Sequence, residues 1–344
     1  MAIARELKCE LFGVKVYSDG FIDRTQHDEL FPTASANAQQ AYLGAYSKDV
    51  VVDSSTGCWA RIFLPESAAA SQAQAQKKRL PVLFYYHGGG FVVCSAASVL
   101  FHDFCSKLAA GAEAIVISVD YRLAPEHKLP APFDDCLAAL RWLQQQALAT
   151  GCDWKEPWLS SHADFCNCFL MGDSAGGNIV AHLGVRAASE GVHPLHISGL
   201  ILVIPFFGGV ERSNSEILYG DNVKMTLQDT DNFWAVSLPG EGADRSHPYC
   251  TFFTPETRAL LQSVKLPPSL VVIGAEDLLY DRQIQYVEFV REAGHSVTLL
   301  EYPQYDHAIL YPEVNNAEDV ADAYSRLKEF LAKCMGELIL TETE

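Results

Sequence analysis

The chain has no run of 18 or more apolar residues, which excludes a membrane-spanning helix of ordinary length. Basic residues are scarce: 25 Lys and Arg stand against 43 Asp and Glu, a formal net charge of −18. Such a surface repels nucleic acid and anionic membranes and leaves a neutral small molecule unaffected. The ten cysteines show no framework spacing, and the closest pair, Cys166 and Cys168, falls in a run that reads as a buried strand. Reduced thiols in the cytosol are therefore expected, rather than disulfides. The start, MAIARELKCELFGVKV, has no continuous apolar core and does not read as a signal peptide. The end, LILTETE, carries no retention, peroxisomal or prenylation signal. No internal repeat is visible, so a solenoid or propeller is not expected.

What is present is an apolar, globular composition. Of 344 residues, 49% are hydrophobic and 20% charged, enough for a large core within one α/β domain over 1–344. Beyond residue 45, β-rich runs alternate with helical patterns. The runs are 48–54, 58–65, 81–87, 114–121, 165–172, 197–205, 269–275 and 296–302. From the third onward they are almost wholly apolar, as strands covered on both faces should be. Helical patterns over 98–111, 132–148, 174–189, 281–294 and 318–334 fill the gaps. This alternation predicts an eight-stranded, mostly parallel sheet with helices on both faces. Residues 66–79 are polar and of low complexity, and read as a flexible surface loop. Residues 14–24 resemble a hairpin around Asp19 and Gly20. Residues 206–265 are too long for a plain crossover, and long insertions in such folds usually cover the site.

The stretch FLMGDSAGGNIVAHL places Ser174 between glycines where an apolar run gives way to a helical pattern. G-x-S-x-G between strand and helix is a sharp turn that exposes the hydroxyl; Gly172 and Gly176 keep side chains out of the crossing. On its own it could equally be a phosphate-binding nest. HGGGF, His87 to Phe91, follows the third apolar run. Its glycines allow backbone N–H groups to face a ligand, and each donor to an oxyanion contributes about 3 kcal/mol to an acyl-transfer transition state. Ala175 supplies one such donor and the glycine loop the rest. A serine hydroxyl needs a base at the same sheet edge. Of the 11 histidines, His307 follows the eighth run at that edge. His295 enters the same run from the opposite edge. His182 lies two turns into the helix behind the serine, and His87 reads as a support for its own loop. His193 and His196 share a loop, but no cysteine or carboxylate partner for a metal is placed beside them. The acid should follow the seventh run, where IGAEDLLYDR offers Asp277, with Glu276 as the alternative. Asp281 reads as a first-turn carboxylate of the next helix.

HGGGF, DYRLAPEHKLPAPFDD, GDSAGGN and the placements of Asp277 and His307 resemble the hormone-sensitive-lipase branch of the α/β-hydrolases, and more closely its plant carboxylesterases. The resemblance spans about residues 10 to 335. It implies the α/β-hydrolase fold, Ser174, Asp277 and His307 as a catalytic triad, and Gly88, Gly89 and Ala175 as oxyanion donors. It also implies a cap built from residues 1–45 and the 206–265 insertion. Asp120, Tyr121, Arg122 and Asp173 then read as scaffold. One departure stands out: Ala308 and Ile309 follow His307, where members of the branch commonly have glycine.

The implied reaction is ester hydrolysis through an acyl-enzyme, with no metal or organic cofactor. The substrate is expected to be a small, largely apolar ester, with Phe91, Phe206, Phe207, Trp234 and Leu279 near it. The protein is expected to be cytoplasmic and a monomer or weak homodimer, with no nucleic-acid partner and no membrane insertion. Two other readings go with the resemblance. One is a carboxylesterase-like dehydratase or cyclase of specialised metabolism. The other is a non-catalytic hormone receptor like the gibberellin receptor, which lacks the catalytic histidine.

Overall fold

A computed structural model describes residues 5–70, 79–149, 155–221, 224–240, 242–307 and 316–341. Three short strands, β1 (Leu7–Leu11), β2 (Val14–Tyr17) and β3 (Ile22–Asp23), form an antiparallel N-terminal sheet that leads into α1 (Thr25–Leu30). Then follow β4 (Ala45–Asp53), β5 (Cys58–Pro65), α2 (Glu66–Ala70), β6 (Leu80–Tyr86), α3 (Val99–Ala112), β7 (Ile115–Asp120), α4 (Ala131–Leu148) and α5 (Pro157–His162). The second half runs β8 (Ala163–Asp173), α6 (Ala175–Glu190), β9 (Ile197–Val203), α7 (Asn214–Tyr219), α8 (Leu227–Ser237) and α9 (Pro255–Ser263). It closes with β10 (Ser269–Gly274), α10 (Tyr280–Glu292), β11 (Val297–Tyr302) and α11 (Ala317–Thr341).

All eight expected strands form one sheet, in the order β11-β10-β9-β8-β6-β7-β5-β4. Only β5 runs against the others: it pairs antiparallel with β4 on one side and β7 on the other. Cys168 to Asp173 of β8 are buried without a break, which requires cover on both faces. On one face Phe104 of α3 meets Tyr324 of α11, and Phe133 of α4 meets His182 of α6 elsewhere in the packing. The hairpin around Asp19 and Gly20 is present, with β1 added beside it. The polar stretch differs from its expectation as a loop: Glu66–Ala70 is helical, as an alanine-rich segment favours. Residues 71–78 lie outside the described residues.

The sheet order decides where a ligand can sit. From β6 the chain goes to β7 on one side and later to β8 on the other, so the connections diverge at the β6/β8 boundary. Beyond the carboxyl ends of two such strands, helices and loops part and leave a crevice. The HGGGF loop leaves β6 there, and Ser174 leaves β8.

The 206–265 insertion is fastened by charge. Glu216 on α7 is 2% exposed. Its carboxylate lies 3.2 Å from Arg282 of α10, 3.5 Å from Arg212 and 3.7 Å from Arg245. It also accepts the Ser213 N–H at 2.7 Å, closing a capping box at the start of α7. Removing the carboxylate leaves three guanidinium groups facing one another, of which Asp231 pairs with only two. Glu216→Ala is therefore expected to lower unfolding stability by about 3 kcal/mol, read by urea denaturation. A loss under about 1 kcal/mol would mean that apolar packing, not this cluster, fastens the insertion.

Candidate active site

Ser174 bridges β8 and α6 with φ 51° and ψ −115°, a conformation side chains rarely adopt. Three hydrogen bonds hold it. Its N–H donates to the Val203 carbonyl at 2.9 Å, and its own carbonyl accepts from Phe206 at 2.9 Å and Asn178 at 3.1 Å. The crossing needs glycine: a Cβ on Gly176 would overlap the Tyr86 carbonyl oxygen at the end of β6. The backbone is over-determined there, so the strained serine persists and its hydroxyl faces the crevice.

His307 comes from the loop after β11. Its Nε2 lies 2.8 Å from Ser174 Oγ, and its Nδ1 lies 2.7 Å from Asp277 Oδ2. Asp277 follows β10 by three residues and is fully buried. Its carboxylate accepts the Leu279 N–H at 2.9 Å and the Gln283 side-chain amide at 2.8 Å. Glu276 next to it is exposed, with its N–H turned to the Tyr305 carbonyl at 2.9 Å. Burial pushes the His307 pKa down, but the charge of Asp277 and its hydrogen bond outweigh this, with Asp173 and Asp306 adding to them. The net result lies above the ordinary imidazole value of 6.5.

Asp173, beside the serine, organises the glycine loop. Its Oδ1 accepts the Gly88 N–H at 2.9 Å and the Tyr85 hydroxyl at 2.5 Å. Among the described residues, the N–H groups of Gly89, Gly90 and Ala175 meet no protein acceptor. Gly89 and Gly90 line the same cavity as Ser174 and His307. That cavity holds about 200 Å³ and is walled mainly by Phe12, Phe31, Phe101, Phe206, Met225 and Phe233. Phe12 stacks on Phe233 with centroids 5.8 Å apart, so the N-terminal segment meets the insertion above the serine. Lys224 reaches the mouth and pairs with Asp306 at 2.7 Å.

This arrangement can move a proton from a hydroxyl to an imidazole while backbone donors receive a developing anion. A family model described as the alpha/beta hydrolase fold matches residues 83–311. The chain belongs to the α/β-hydrolase family. Carboxylesterase 20 of Arabidopsis thaliana is 41% identical over 285 residues, covering 81% of this chain and 83% of its own. A gibberellin receptor of Arabidopsis thaliana is 36% identical over 312 residues, covering 88% and 86%. Among solved structures, an esterase of Pyrobaculum calidifontis superposes with TM-score 0.67 at 26% identity, covering 83% of this chain and 84% of that one.

Several expected site residues of this α/β-hydrolase stand elsewhere. Gly88 is not placed to donate to an oxyanion, because its N–H is taken by Asp173; Gly90 has the open amide instead. Of the five expected pocket residues, only Phe206 lines the cavity. Trp234 stacks behind Phe206 at 4.4 Å, and Phe91 packs against both of them. Phe207 turns the other way and stacks on Tyr286 at 5.1 Å. Leu279 is buried at the start of α10, where its N–H serves Asp277. Sequence reasoning missed Gln283, Phe12, Phe31, Phe233 and Lys224. Gln283 alone left a signal, as the fourth residue of the helix that follows Asp277.

The remaining histidines and the DYR residues fall into the frame. His87 is fully buried, its Nδ1 2.7 Å from the Gly88 carbonyl oxygen, and burial pushes its pKa down to about 4. His182 packs among Phe133, Tyr249 and Phe252, and burial pushes it to about 3. His295 Nε2 meets the Leu261 carbonyl oxygen at 3.0 Å, away from the serine. The carbonyl of His193 takes the Gln144 amide, and the His196 N–H donates to the Phe165 carbonyl. Asp120 accepts the Ala96 N–H at 2.8 Å, the Tyr121 hydroxyl donates to the His87 carbonyl at 2.6 Å, and Arg122 forks onto Asp135. Asp281 accepts the Ser215 N–H at 2.8 Å. Ala308 and Ile309 lie outside the described residues.

The electrostatics can be read directly. The His307 imidazole should titrate by NMR with a midpoint above 6.5, and Asp277→Asn should move it downward, because burial then acts with less opposition. An unmoved midpoint in Asp277→Asn would mean that this carboxylate does not set the charge on His307.

Proposed function

We propose that this α/β-hydrolase is a serine carboxylesterase acting on a small, largely apolar ester. One observation carries the reading: Asp277, His307 and Ser174 form an unbroken chain of short contacts next to amides that meet no protein acceptor among the described residues. The names of its relatives, a carboxylesterase among them, support the same reaction.

In the proposed mechanism Ser174 Oγ attacks the ester carbonyl carbon while His307 Nε2 takes its proton. Asp277 fixes the imidazole with the other proton on Nδ1 and stabilises the imidazolium that forms. The carbonyl oxygen becomes an oxyanion held by the N–H groups of Gly89, Gly90 and Ala175. His307 then gives the proton to the departing alcohol oxygen, and the C–O bond breaks. Water, deprotonated by the same nitrogen, attacks the acyl-enzyme and frees the acid. The segments 1–45 and 206–265 serve as a cap whose phenylalanine walls favour aromatic or branched aliphatic groups.

A receptor reading has one observation in its favour, the 36% identity to a gibberellin receptor. Turnover separates the two. Purified protein should hydrolyse p-nitrophenyl acetate and take a fluorophosphonate label on the peptide that holds Ser174. Ser174→Ala and His307→Ala should each lower kcat by about a thousandfold or more, while His295→Ala leaves it nearly intact. A label elsewhere, or equal loss in His295→Ala, would overturn the assignment. Tight binding of a small ligand without turnover would favour the receptor.

The pH profile gives a second check. His307 must be neutral to accept the proton, and its pKa lies above 6.5. The value of kcat/KM should therefore fall on the acid side with an inflection above 6.5. Activity that stayed level well below that pH would exclude His307 as the base.

A further inference from the structure

The glycine loop carries unusual strain, and its support comes from outside the sheet. Within six residues, Gly89, Gly90, Phe91 and Cys94 have φ of 103°, 59°, 66° and 72°. Two of these are not glycine, and such a conformation persists only where the surroundings hold it. Inside the loop, Val92 and Val93 both donate to the Gly89 carbonyl at 2.9 Å. At its far end the Cys94 N–H has one acceptor, the Nε2 of His27, at 2.9 Å.

His27 belongs to α1, in the N-terminal segment, and is 7% exposed. An amide N–H can only donate, so Nε2 carries no proton. Nδ1 carries it instead and faces Asp28 Oδ1 at 2.9 Å. The ring leans on Phe31, which lines the cavity. The His27 backbone N–H is tied to the Gly13 carbonyl at 3.1 Å, next to Phe12 of the cavity wall. One turn earlier, Arg24 donates to the carbonyls of Val92 at 2.7 Å and Ala124 at 2.9 Å. The loop is thus held at a carbonyl and at an amide by two side chains of one short segment.

We propose that His27 is a positioning residue for catalysis: by accepting the Cys94 N–H it holds the 89–94 loop so that the Gly89 and Gly90 amides face the reacting carbonyl. Its effect on turnover rests on the esterase reading, whereas its effect on the loop does not. The oxyanion exists only in the transition state and the intermediate, so a loosened loop lowers kcat and leaves ground-state binding nearly untouched. The side chain that matters is any acceptor at the position of Nε2, which a glutamine oxygen can occupy.

The test compares His27→Gln with His27→Leu in the full chain. Amide hydrogen exchange over 89–94 is followed together with p-nitrophenyl acetate kinetics. His27→Leu should speed exchange in that segment and lower kcat about tenfold or more, with KM changed by less than about twofold. His27→Gln should restore both protection and most of kcat. Equal effects of the two substitutions, a loss carried by KM alone, or unchanged exchange in His27→Leu would overturn the proposal. If His27→Leu does not fold, His27→Asn takes its place, since its amide is too short to reach Cys94. If the unsubstituted protein hydrolyses no ester, the esterase reading fails, and the exchange comparison still decides whether His27 holds the loop.

Discussion

The structure depends on one close backbone crossing. The turn from β8 into α6 passes so near the end of β6 that the Tyr86 carbonyl occupies the space of any side chain on Gly176. Because the two backbones touch there, Ser174 cannot relax out of its positive φ, and its hydroxyl stands at the point where the sheet connections diverge. The same contact places the glycine loop, which starts at the end of β6, beside the serine, which ends β8. The proposed nucleophile and oxyanion donors are thus set by strand pairing. The hydrogen bonds to Val203 and from Phe206 tie the serine to β9 and to the segment that leads into the insertion. A strained residue at a functional site needs this kind of cross-bracing, since its own preferences oppose the geometry.

Asp173 shows how one carboxylate serves several ends. It takes the Gly88 N–H and so fixes the start of the loop whose next two residues line the cavity. It adds to the negative field that keeps the His307 pKa up against burial. Asp277 does the larger share of that work and also accepts from Leu279 and Gln283. A buried carboxylate that accepts three hydrogen bonds has little freedom to turn, so the imidazole it holds keeps one tautomer and one direction. Charge at this site is therefore arranged to stabilise an imidazolium, the species formed when a proton leaves the serine.

Much of the fold was legible in the sequence because its strands are buried on both faces and so form continuous apolar runs. All eight appear within a few residues of their expected limits. The serine, the histidine and the acid could be placed because each follows a strand at the same edge, and edge position is a matter of topology rather than of side-chain detail. The cavity walls were not legible for the same reason in reverse. Phe206 and Phe207 are adjacent in an extended segment, so they point to opposite sides, and only Phe206 meets the cavity. Phe233 and Trp234 are adjacent on α8, a third of a turn apart, and the sequence does not say which way that helix faces. The place of Gly88 turns on a single hydrogen bond that its N–H donates to a side chain 85 residues away. Helix α9 did leave a start signal, a threonine cap followed by Pro255 and Glu256, but it is short and lies inside an irregular insertion.

The division between the sheet and the two segments proposed as a cap has a chemical consequence. Every atom proposed to act on the ester hangs from a strand end or from the loop that β6 releases. Most of the aromatic wall hangs from two segments that join only above the site, where Phe12 stacks on Phe233. Changing a wall residue alters volume and shape within about 200 Å³ without touching the proton path. The reverse does not hold. The N-terminal segment grips the glycine loop through Arg24 and His27, and the insertion reaches it too, because the Ser237 hydroxyl donates to the Gly90 carbonyl at 3.4 Å and the Phe233 ring closes over Gly90. Both wall segments are therefore joined to the loop proposed to hold the oxyanion, so a ligand that displaces either wall acts on that loop as well.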